Sequence, residues 1–169
     1  MSVGRTLDYP LHALIDPISA RFPLFNVSVV APISDTMEAY DSRRAQYHST
    51  RILALLEQHI RSLRLERLLG VTSSDLYAPG MNFVFGEARS PGRVAVISTY
   101  RLTPREPDEA DLFQSRVLKE AVHEIGHMVG MKHCSKVTCV MHFSERLADT
   151  DLKGPDFCEE CESDLRVSY

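Results

Sequence analysis

The sequence predicts a single α+β domain in which a small sheet packs against helices. The chain has 169 residues, of which 44% are hydrophobic and 25% charged, a composition typical of one compact globular domain. Short β-branched segments separated by Pro-Gly turn signals fill its middle third. Two longer segments carry apolar residues at helical spacing. The sequence has no internal repeat that would indicate a chain of separate folding units.

Four short segments predict β-strands. Residues 24–30 (LFNVSVV) are apolar and β-branched, so we expect a buried strand there. Three further candidates follow, separated by Pro-Gly turns: VTSSDLYA (71–78), NFVFGEA (82–88) and RVAVISTY (93–100). Together the last three predict a small sheet in the middle of the chain.

Two segments predict helices. From about Thr50, apolar residues recur at helical spacing until Gly70 interrupts them, so a helix is expected over residues 50–69. A second helix is expected over residues 112–129. Asp108 or Asp111 can cap its first turn, because a carboxylate accepts hydrogen bonds from free backbone N–H groups.

Charge and hydropathy exclude two classes of partner. The formal net charge is −4 and the pI about 6.0, so the basic surface expected of a nucleic-acid-binding protein is missing. No apolar run reaches the roughly 20 residues that span a bilayer, so we expect no membrane partner. The first residues lack a secretory signal pattern, which predicts a cytoplasmic protein. The oligomeric state is left open.

The segment HEIGHMVGMKHC (123–134) predicts a site with three imidazoles. On a helix, His123 and His127 lie one above the other, with Glu124 beside them. Gly130 follows where the helix should stop. A glycine there can take a left-handed conformation and turn the chain, so that His133 returns to the first two rings.

Three imidazoles and a glutamate predict the chemistry of a zinc hydrolase. Three protein ligands leave the fourth tetrahedral position of zinc open for water, as in catalytic sites. Glu124 can then act as general base, so the reaction implied is hydrolysis, most simply of a peptide bond. The alternative is a set of core histidines held by hydrogen bonds, which leaves the glutamate and the glycine turn unexplained.

The four cysteines predict a second, structural zinc site. Cys134, Cys139, Cys158 and Cys161 form two closely spaced pairs, which suits a closed tetrahedron of thiolates. The alternative is two disulfides in one of three connectivities, which a reducing compartment disfavours. We therefore expect two zinc ions per chain, the second fastening a tail that has few apolar residues.

The segments HEIGHMVGMKHC, CVM and FCEEC together resemble the archaemetzincins, a family of the metzincin clan of zinc metallopeptidases. The shared features are HExxHxxGxxH, a cysteine directly after the third histidine, Cys-x4-Cys-x-Met and a distal Cys-x2-Cys. Weaker similarity extends upstream through RRAQYHSTRIL, LYAPGMNFVFGEA and VAVISTYRL. The resemblance covers most of the chain after the first two dozen residues.

The resemblance implies a metzincin-like fold and assigns further roles. The fold would have an N-terminal twisted mixed sheet with backing helices, an active-site helix and a small zinc-stapled C-terminal lobe. The lobes of this single catalytic domain would span about residues 1–130 and 131–169. Met141 would form the floor of the metal site. Residues 82–88 are the candidate edge strand along which a peptide substrate lies, although an ordinary sheet strand is an equal alternative.

Two other functions compete with a metallopeptidase of endopeptidase or aminopeptidase type. One is a catalytically weak, zinc-bound peptide-recognition or scaffold protein, which has no need of Glu124 as a base. The other is a nucleic-acid-binding zinc module, which the negative charge disfavours. His142 is a further candidate to line the cleft. Other acidic residues and histidines are expected to be solvated, among them Asp151, Asp156, His12, His48 and His59.

Overall fold

A computed structural model describes residues 1–4, 7, 9–104 and 109–167. The helices are α1 Ile15–Arg21, α2 Ser49–Leu63, α3 Ala110–Met128, α4 Leu147–Leu152 and α5 Glu159–Val167, with single 3₁₀ turns at Leu11–Leu14 and Met37–Ala39. The strands are β1 Tyr40–Asp41, β2 Gln46–His48, β3 Leu68–Thr72, β4 Leu76–Tyr77, β5 Gly86–Ala88 and β6 Val94–Ser98. No helix in these described stretches is long and apolar enough to cross a membrane.

The main sheet has the strand order β3-β6-β5. β3 runs parallel to β6, and β5 runs antiparallel to it with Gly86 opposite Ile97 and Ala88 opposite Ala95. A second small sheet has the order β1-β2-β4. In the part of the chain that the structure describes, β5 is the last strand of the main sheet, so its outer edge has no strand partner there.

The main sheet lies between two hydrophobic cores because successive side chains of a strand point to opposite faces. Val94 and Val96 of β6 pack in the core that contains the apolar face of α2. Ala95 and Ile97 pack in the larger core with α3. All five residues of β6 are buried, as expected for a central strand covered on both sides.

From Arg116 onward, helix α3 is buried on nearly every side, which the amphipathic pattern did not predict. Its polar face packs against α4. Arg116 forms a bidentate ion pair with Asp151, at 2.6 and 2.8 Å, and the ammonium of Lys119 donates to the carbonyl of Thr150 at 3.1 Å. The lysine therefore satisfies a carbonyl near the C-terminal end of α4, where free carbonyl groups need donors. These bonds fix α3 against α4.

The prediction of a strand over residues 24–30 is wrong. The segment is not paired in a ladder, and Leu24 is 71% exposed. The edge of β3 next to it is occupied by the first residues of the chain, since Val3 donates to Val71 and Val71 donates to Met1. The segment instead contacts the core through alternate side chains such as Phe25 and Val27.

The expected helix over residues 50–69 begins where predicted but ends at Leu63. Arg64 takes a left-handed conformation with φ 55°, and Leu68 pairs with Val94 in β3. Parallel pairing in the buried sheet therefore overrides the helical spacing of these leucines. The segment predicted as one strand over residues 71–78 is correspondingly split between β3 and β4.

The predicted positions of one strand and one helix agree with the structure. Strand β6 and helix α3 lie within two residues of their expected bounds. Asp111 lies inside the first turn of α3 and does not cap it, while Asp108 lies outside the described residues. The sequence pattern missed α1, α4 and α5, which have at most nine residues each. The mixture of helices and two small sheets agrees with the predicted α+β fold class.

Candidate active site

The C-terminal half of α3 and the turn after it bring the three histidines together. His123 and His127 are one helical turn apart, and their ring centroids are separated by 4.6 Å. Gly130, with φ +94°, ends the helix as expected: its N–H bonds the carbonyl of His127, and that of Met131 bonds the carbonyl of Gly126. After this turn, the ring centroid of His133 lies 4.8 Å from that of His127 and 5.4 Å from that of His123.

Backbone carbonyls fix the tautomer of the first two histidines. His123 Nδ1 donates to the carbonyl oxygen of Val140 and His127 Nδ1 to that of Met131, each at 2.8 Å. Because a carbonyl only accepts, the proton of each neutral ring is on Nδ1 and the lone pair is on Nε2. The two Nε2 atoms face each other at 3.1 Å. Since neither Nε2 atom carries a proton, the two lone pairs repel each other at this distance, and a cation bound by both would remove the repulsion.

The environment keeps these imidazoles neutral. Burial lowers the pKa of His123 well below its usual value, and it also lowers the pKa values of His127 and His133. Neutral imidazole is the form that binds a metal. His123 is buried, His127 partly buried and His133 exposed, so the group of ligand atoms is open on one side.

Glu124 lies beside the histidines and is 5% exposed. Burial raises the pKa of its carboxyl group well above the usual range, and the neighbouring carboxylate of Glu120 raises it further. The ammonium of Lys153 opposes this shift in pKa. A carboxylate with a raised pKa is a stronger base than one in water, which suits proton abstraction near neutral pH.

Met141 lies against the histidine helix. It is fully buried, and a Cβ placed on Gly126 would lie 2.5 Å from its Sδ atom. This contact explains a glycine in the middle of a helix, where it is less favourable than alanine by up to about 1 kcal/mol. Since Val140 accepts the bond from His123, the segment around Met141 both packs under the helix and orients the first imidazole.

A cleft runs between β5 and the histidines. Gly86, Glu87 and Ala88 of β5 line one wall, so the edge position predicted for the segment NFVFGEA agrees with the structure. Only its last three residues form a strand. Phe83 and Phe85 of the predicted edge segment also line the cleft. Four further lining residues were not predicted, namely Met81, Phe143, Ser144 and Glu145.

Phe143 and Glu120 both line the cleft beside the histidines, although neither was predicted to do so. The ring of Phe143 lies 5.0 Å from that of His133 and is 44% exposed, which gives the cleft an apolar surface beside the third histidine. Glu120 lies one helical turn before Glu124, so helical periodicity alone was enough to find it. His142 does not line the cleft; its Nδ1 atom bonds the carbonyl of Cys134 at 3.0 Å.

The four cysteines form a second group, which is joined to the histidines through Cys134, the residue directly after His133. Their Sγ atoms all lie within 4.8 Å of one another, and those of Cys134 and Cys158 are 3.8 Å apart. All four thiols are free, so neither disulfide of the alternative is present. The pKa of Cys158 is lowered to about 7, first by the backbone N–H of Cys161, whereas burial raises the pKa values of Cys139 and Cys161.

Both groups of ligand atoms fit zinc. At Zn–N and Zn–S distances of about 2.05 and 2.3 Å, a tetrahedron separates neighbouring nitrogens by about 3.3 Å and sulfurs by about 3.8 Å. The observed separations of 3.1 Å between nitrogens and 3.8 Å between two of the sulfurs are close to these values. Neutral imidazoles that converge beside a carboxylate in an open cleft suit zinc-dependent hydrolysis. The class of protein that this fold and site define is the zinc metallopeptidases.

Sequence comparisons give the family. The model of peptidase family M54 matches residues 18–167. The archaemetzincin of Archaeoglobus fulgidus is 48% identical over 145 residues, which cover 85% of this chain and 84% of the relative. That of Pyrococcus furiosus is 44% identical over 166 residues, covering 94% and 86%. The chain belongs to peptidase family M54, whose members include the archaemetzincins, and it is a zinc metallopeptidase.

Solved structures agree with this membership. The crystal structure of the Methanopyrus kandleri archaemetzincin matches with a TM-score of 0.83 and 38% identity, covering 99% of this chain and 92% of the other. The Archaeoglobus fulgidus archaemetzincin, solved with malonate, matches with a TM-score of 0.84 and 41% identity over 96% of both chains. A zinc-dependent peptidase from Methanocorpusculum labreanum has a TM-score of 0.83 at 27% identity, over 97% and 98%.

Proposed function

We propose that His123, His127 and His133 bind a catalytic zinc ion and that Glu124 is the general base of peptide-bond hydrolysis. The observation that carries this proposal is the pair of Nε2 atoms facing each other at 3.1 Å, while both Nδ1 atoms donate to carbonyl oxygens. A hydrogen bond between the two Nε2 atoms would require a charged imidazolium, which burial disfavours. A zinc ion satisfies both lone pairs.

Glu124, β5 and Met141 have different roles in the proposed hydrolysis. Zinc, when bound, supplies a water of lowered pKa and polarises the scissile carbonyl. Glu124 takes the proton of the attacking water, and its raised pKa makes it effective as a base. The outer edge of β5 offers backbone N–H and C=O groups to an extended peptide, which can pair there as an added strand. Met141 supports the helix that carries the base.

We further propose that the four cysteines hold a second zinc ion with a structural role. Two backbone N–H groups donate to sulfur, from Lys136 to Cys134 and from Cys158 to Cys139, each at 3.4 Å. Such bonds stabilise thiolates and orient them toward a metal. A closed four-thiolate site leaves no position for substrate, so its contribution is stability. The chain would then bind two zinc ions.

The structural zinc would fasten residues 131–169 as a small C-terminal lobe of one catalytic domain with residues 1–130. Because Cys134 directly follows His133, the second ion would also restrain the third catalytic ligand. We propose a cytoplasmic location, since free cysteines arranged for metal are typical of reducing compartments. The substrates are peptides or proteins, as for any peptidase of this family.

A cleavage experiment tests the catalytic proposal. Zinc-loaded protein is incubated with a diverse peptide library, and the products are read by mass spectrometry. The matched control is metal-loaded His127→Ala, which keeps the cysteine site but should lose the histidine site and all cleavage. Equal cleavage by wild type and His127→Ala would overturn the assignment of the histidines.

A further inference from the structure

Gly86 lies on the face of β5 that is turned toward the active-site helix. In the antiparallel register it lies opposite Ile97, which packs in the core with α3, whereas Glu87 lies opposite Val96, which packs in the core with α2. A side chain at position 86 would therefore point toward α3 and Glu124.

The space that such a side chain would need is occupied by Glu124. A Cβ built on Gly86 would lie 2.6 Å from Oε1, 2.7 Å from Cγ and 2.9 Å from Cδ of Glu124. Its backbone is not in the left-handed region, unlike that of Gly130, so its φ angle does not require glycine. The reason for a glycine at position 86 is the close approach of the carboxylate.

Other restraints on the Glu124 carboxylate are weak. Among the residues that the structure describes, none forms a hydrogen bond with it. The charged groups that act on it include the carboxylates of Glu120 and Glu87, which repel it in its ionised form, and the ammonium of Lys153, which attracts it but is paired with Glu120 at 3.0 Å. The position of the carboxylate is therefore set by packing, and the backbone of β5 at Gly86 is the wall against which it packs.

We propose that Gly86 is a positioning residue that holds the Glu124 carboxylate against the substrate-binding edge of the sheet. This inference rests on the proposed function, in which Glu124 is the base and β5 pairs with the peptide. The missing side chain lets the base lie directly beside the strand that aligns the scissile bond. A misplacement of about 1 Å in such a geometry reduces the rate by about 10²-fold.

The expected effect of Gly86→Ala is local, because the atoms that a methyl group would meet belong to one flexible side chain. Glu124 should rotate away while the strand keeps its backbone and its pairing with β6. The turnover number kcat should fall by about 10²-fold, with KM nearly unchanged. Zinc content should equal that of wild type, and a crystal structure should show the carboxylate displaced by about 1 Å or more.

Gly70→Ala is the matched control. Gly70 is a glycine of β3 whose added Cβ would lie 2.8 Å from Val3 and 3.1 Å from Leu56, on the face of the sheet away from Glu124. This variant should lose thermal stability and keep its kcat. If Gly70→Ala lowers kcat as much as Gly86→Ala does, the effect comes from general loosening of the sheet, and the inference is wrong.

A double variant tests the contact itself. Glu124→Asp shortens the side chain by one methylene, so it should reduce activity in wild type but add little to Gly86→Ala, where the carboxylate is already displaced. Independent effects that simply multiply would contradict a direct contact. These experiments distinguish a failure of the role proposed for Gly86 from a failure of the role proposed for Glu124. If Glu124→Ala abolishes cleavage while Gly86→Ala keeps the wild-type kcat and an unmoved carboxylate, only the role of Gly86 is refuted.

Discussion

The ammonium of Lys153 lies 3.0 Å from the carboxylate of Glu120, and both side chains are buried, at 0% and 3% exposure. Thr150 donates a second hydrogen bond to the same carboxylate oxygen at 3.0 Å. Lys153 also approaches the carbonyl of His142 at 3.5 Å. The pair thus connects the active-site helix, the segment after Met141 and the end of α4 at one buried point.

Breaking this pair should be strongly destabilising. Lys153→Met leaves Glu120 as an uncompensated buried charge, which costs about 3–5 kcal/mol. The double variant Lys153→Met/Glu120→Gln should recover part of this loss because it removes the orphaned charge. Denaturant unfolding of the zinc-loaded proteins measures the free energy of unfolding of the single and the double variant.

The control for this prediction is Lys136→Met. Lys136 pairs with Glu160 at 3.1 Å, but both side chains are exposed, at 46% and 75%. Solvent screens such a pair, so this variant should unfold like wild type. If Lys136→Met and Lys153→Met destabilise the protein equally, burial does not decide the strength of the Glu120–Lys153 pair.

The metal content should be two zinc ions per chain, because three imidazoles and four thiolates form separate sets of ligands. Native mass spectrometry should count two ions in wild type. It should count one in His127→Ala and one in Cys161→Ser, each variant losing a different ion. A wild-type chain that binds a single zinc ion would contradict the two-site account.

Removal of a cysteine ligand should loosen the C-terminal lobe. Structural zinc sites in small modules have apparent free energies on the order of 10 kcal/mol, so Cys158→Ser and Cys161→Ser should both lower the melting temperature. Ser163→Ala in the same helix as Cys161 is the control and should melt like wild type. Wild-type melting and full zinc content in both cysteine variants would exclude a structural role.

The pH dependence of the metal-free protein should show two opposing contributions. Burial lowers the pKa values of the three histidines below 6.5, so their contribution to stability is present above pH 6.5 and is lost as the pH falls through their folded pKa values. Burial raises the pKa of Glu124 above 4.5, so its contribution is present below pH 4.5 and is lost as the pH rises through its folded pKa.

The variant Glu124→Gln separates these contributions, because the amide does not titrate. Between about pH 7 and pH 5, the melting temperature of the metal-free variant should fall more steeply than that of metal-free wild type. Circular dichroism melts across this range check the difference. Parallel curves for the two proteins would show that the pKa of Glu124 is not raised.

The convergence of the histidines was predictable because it depends on short-range geometry. Helical periodicity places His123 and His127 one turn apart, and Gly130 turns the chain within three residues of His133. A close contact at Gly126 was predictable from a glycine in the middle of a helix, but its partner was not, because the resemblance implied Met141 only as the floor of the metal site. The relationships among the histidines span only one helix and its cap, whereas the contact between Gly126 and Met141 reaches beyond them.

Features that depend on long-range packing were not predictable. Glu120 pairs with Lys153, the residue directly after α4. Nothing in the sequence around either residue predicts this pairing. Residues 24–30 have the composition of a strand, but the edge of β3 is occupied by the first residues of the chain. The role inferred for Gly86 depends on which face of β5 it occupies, and the register of a strand is set by its tertiary partners.

The central claim is that Glu124 acts as the base while the histidines hold the metal. Its most direct test measures zinc occupancy and peptide cleavage of Glu124→Ala in the same preparation. The account predicts wild-type zinc content and a cleavage rate about 10²–10⁴-fold lower, since proton transfer is lost and the ligands are intact. A fully zinc-loaded Glu124→Ala protein that cleaves a validated peptide at the wild-type rate would contradict it.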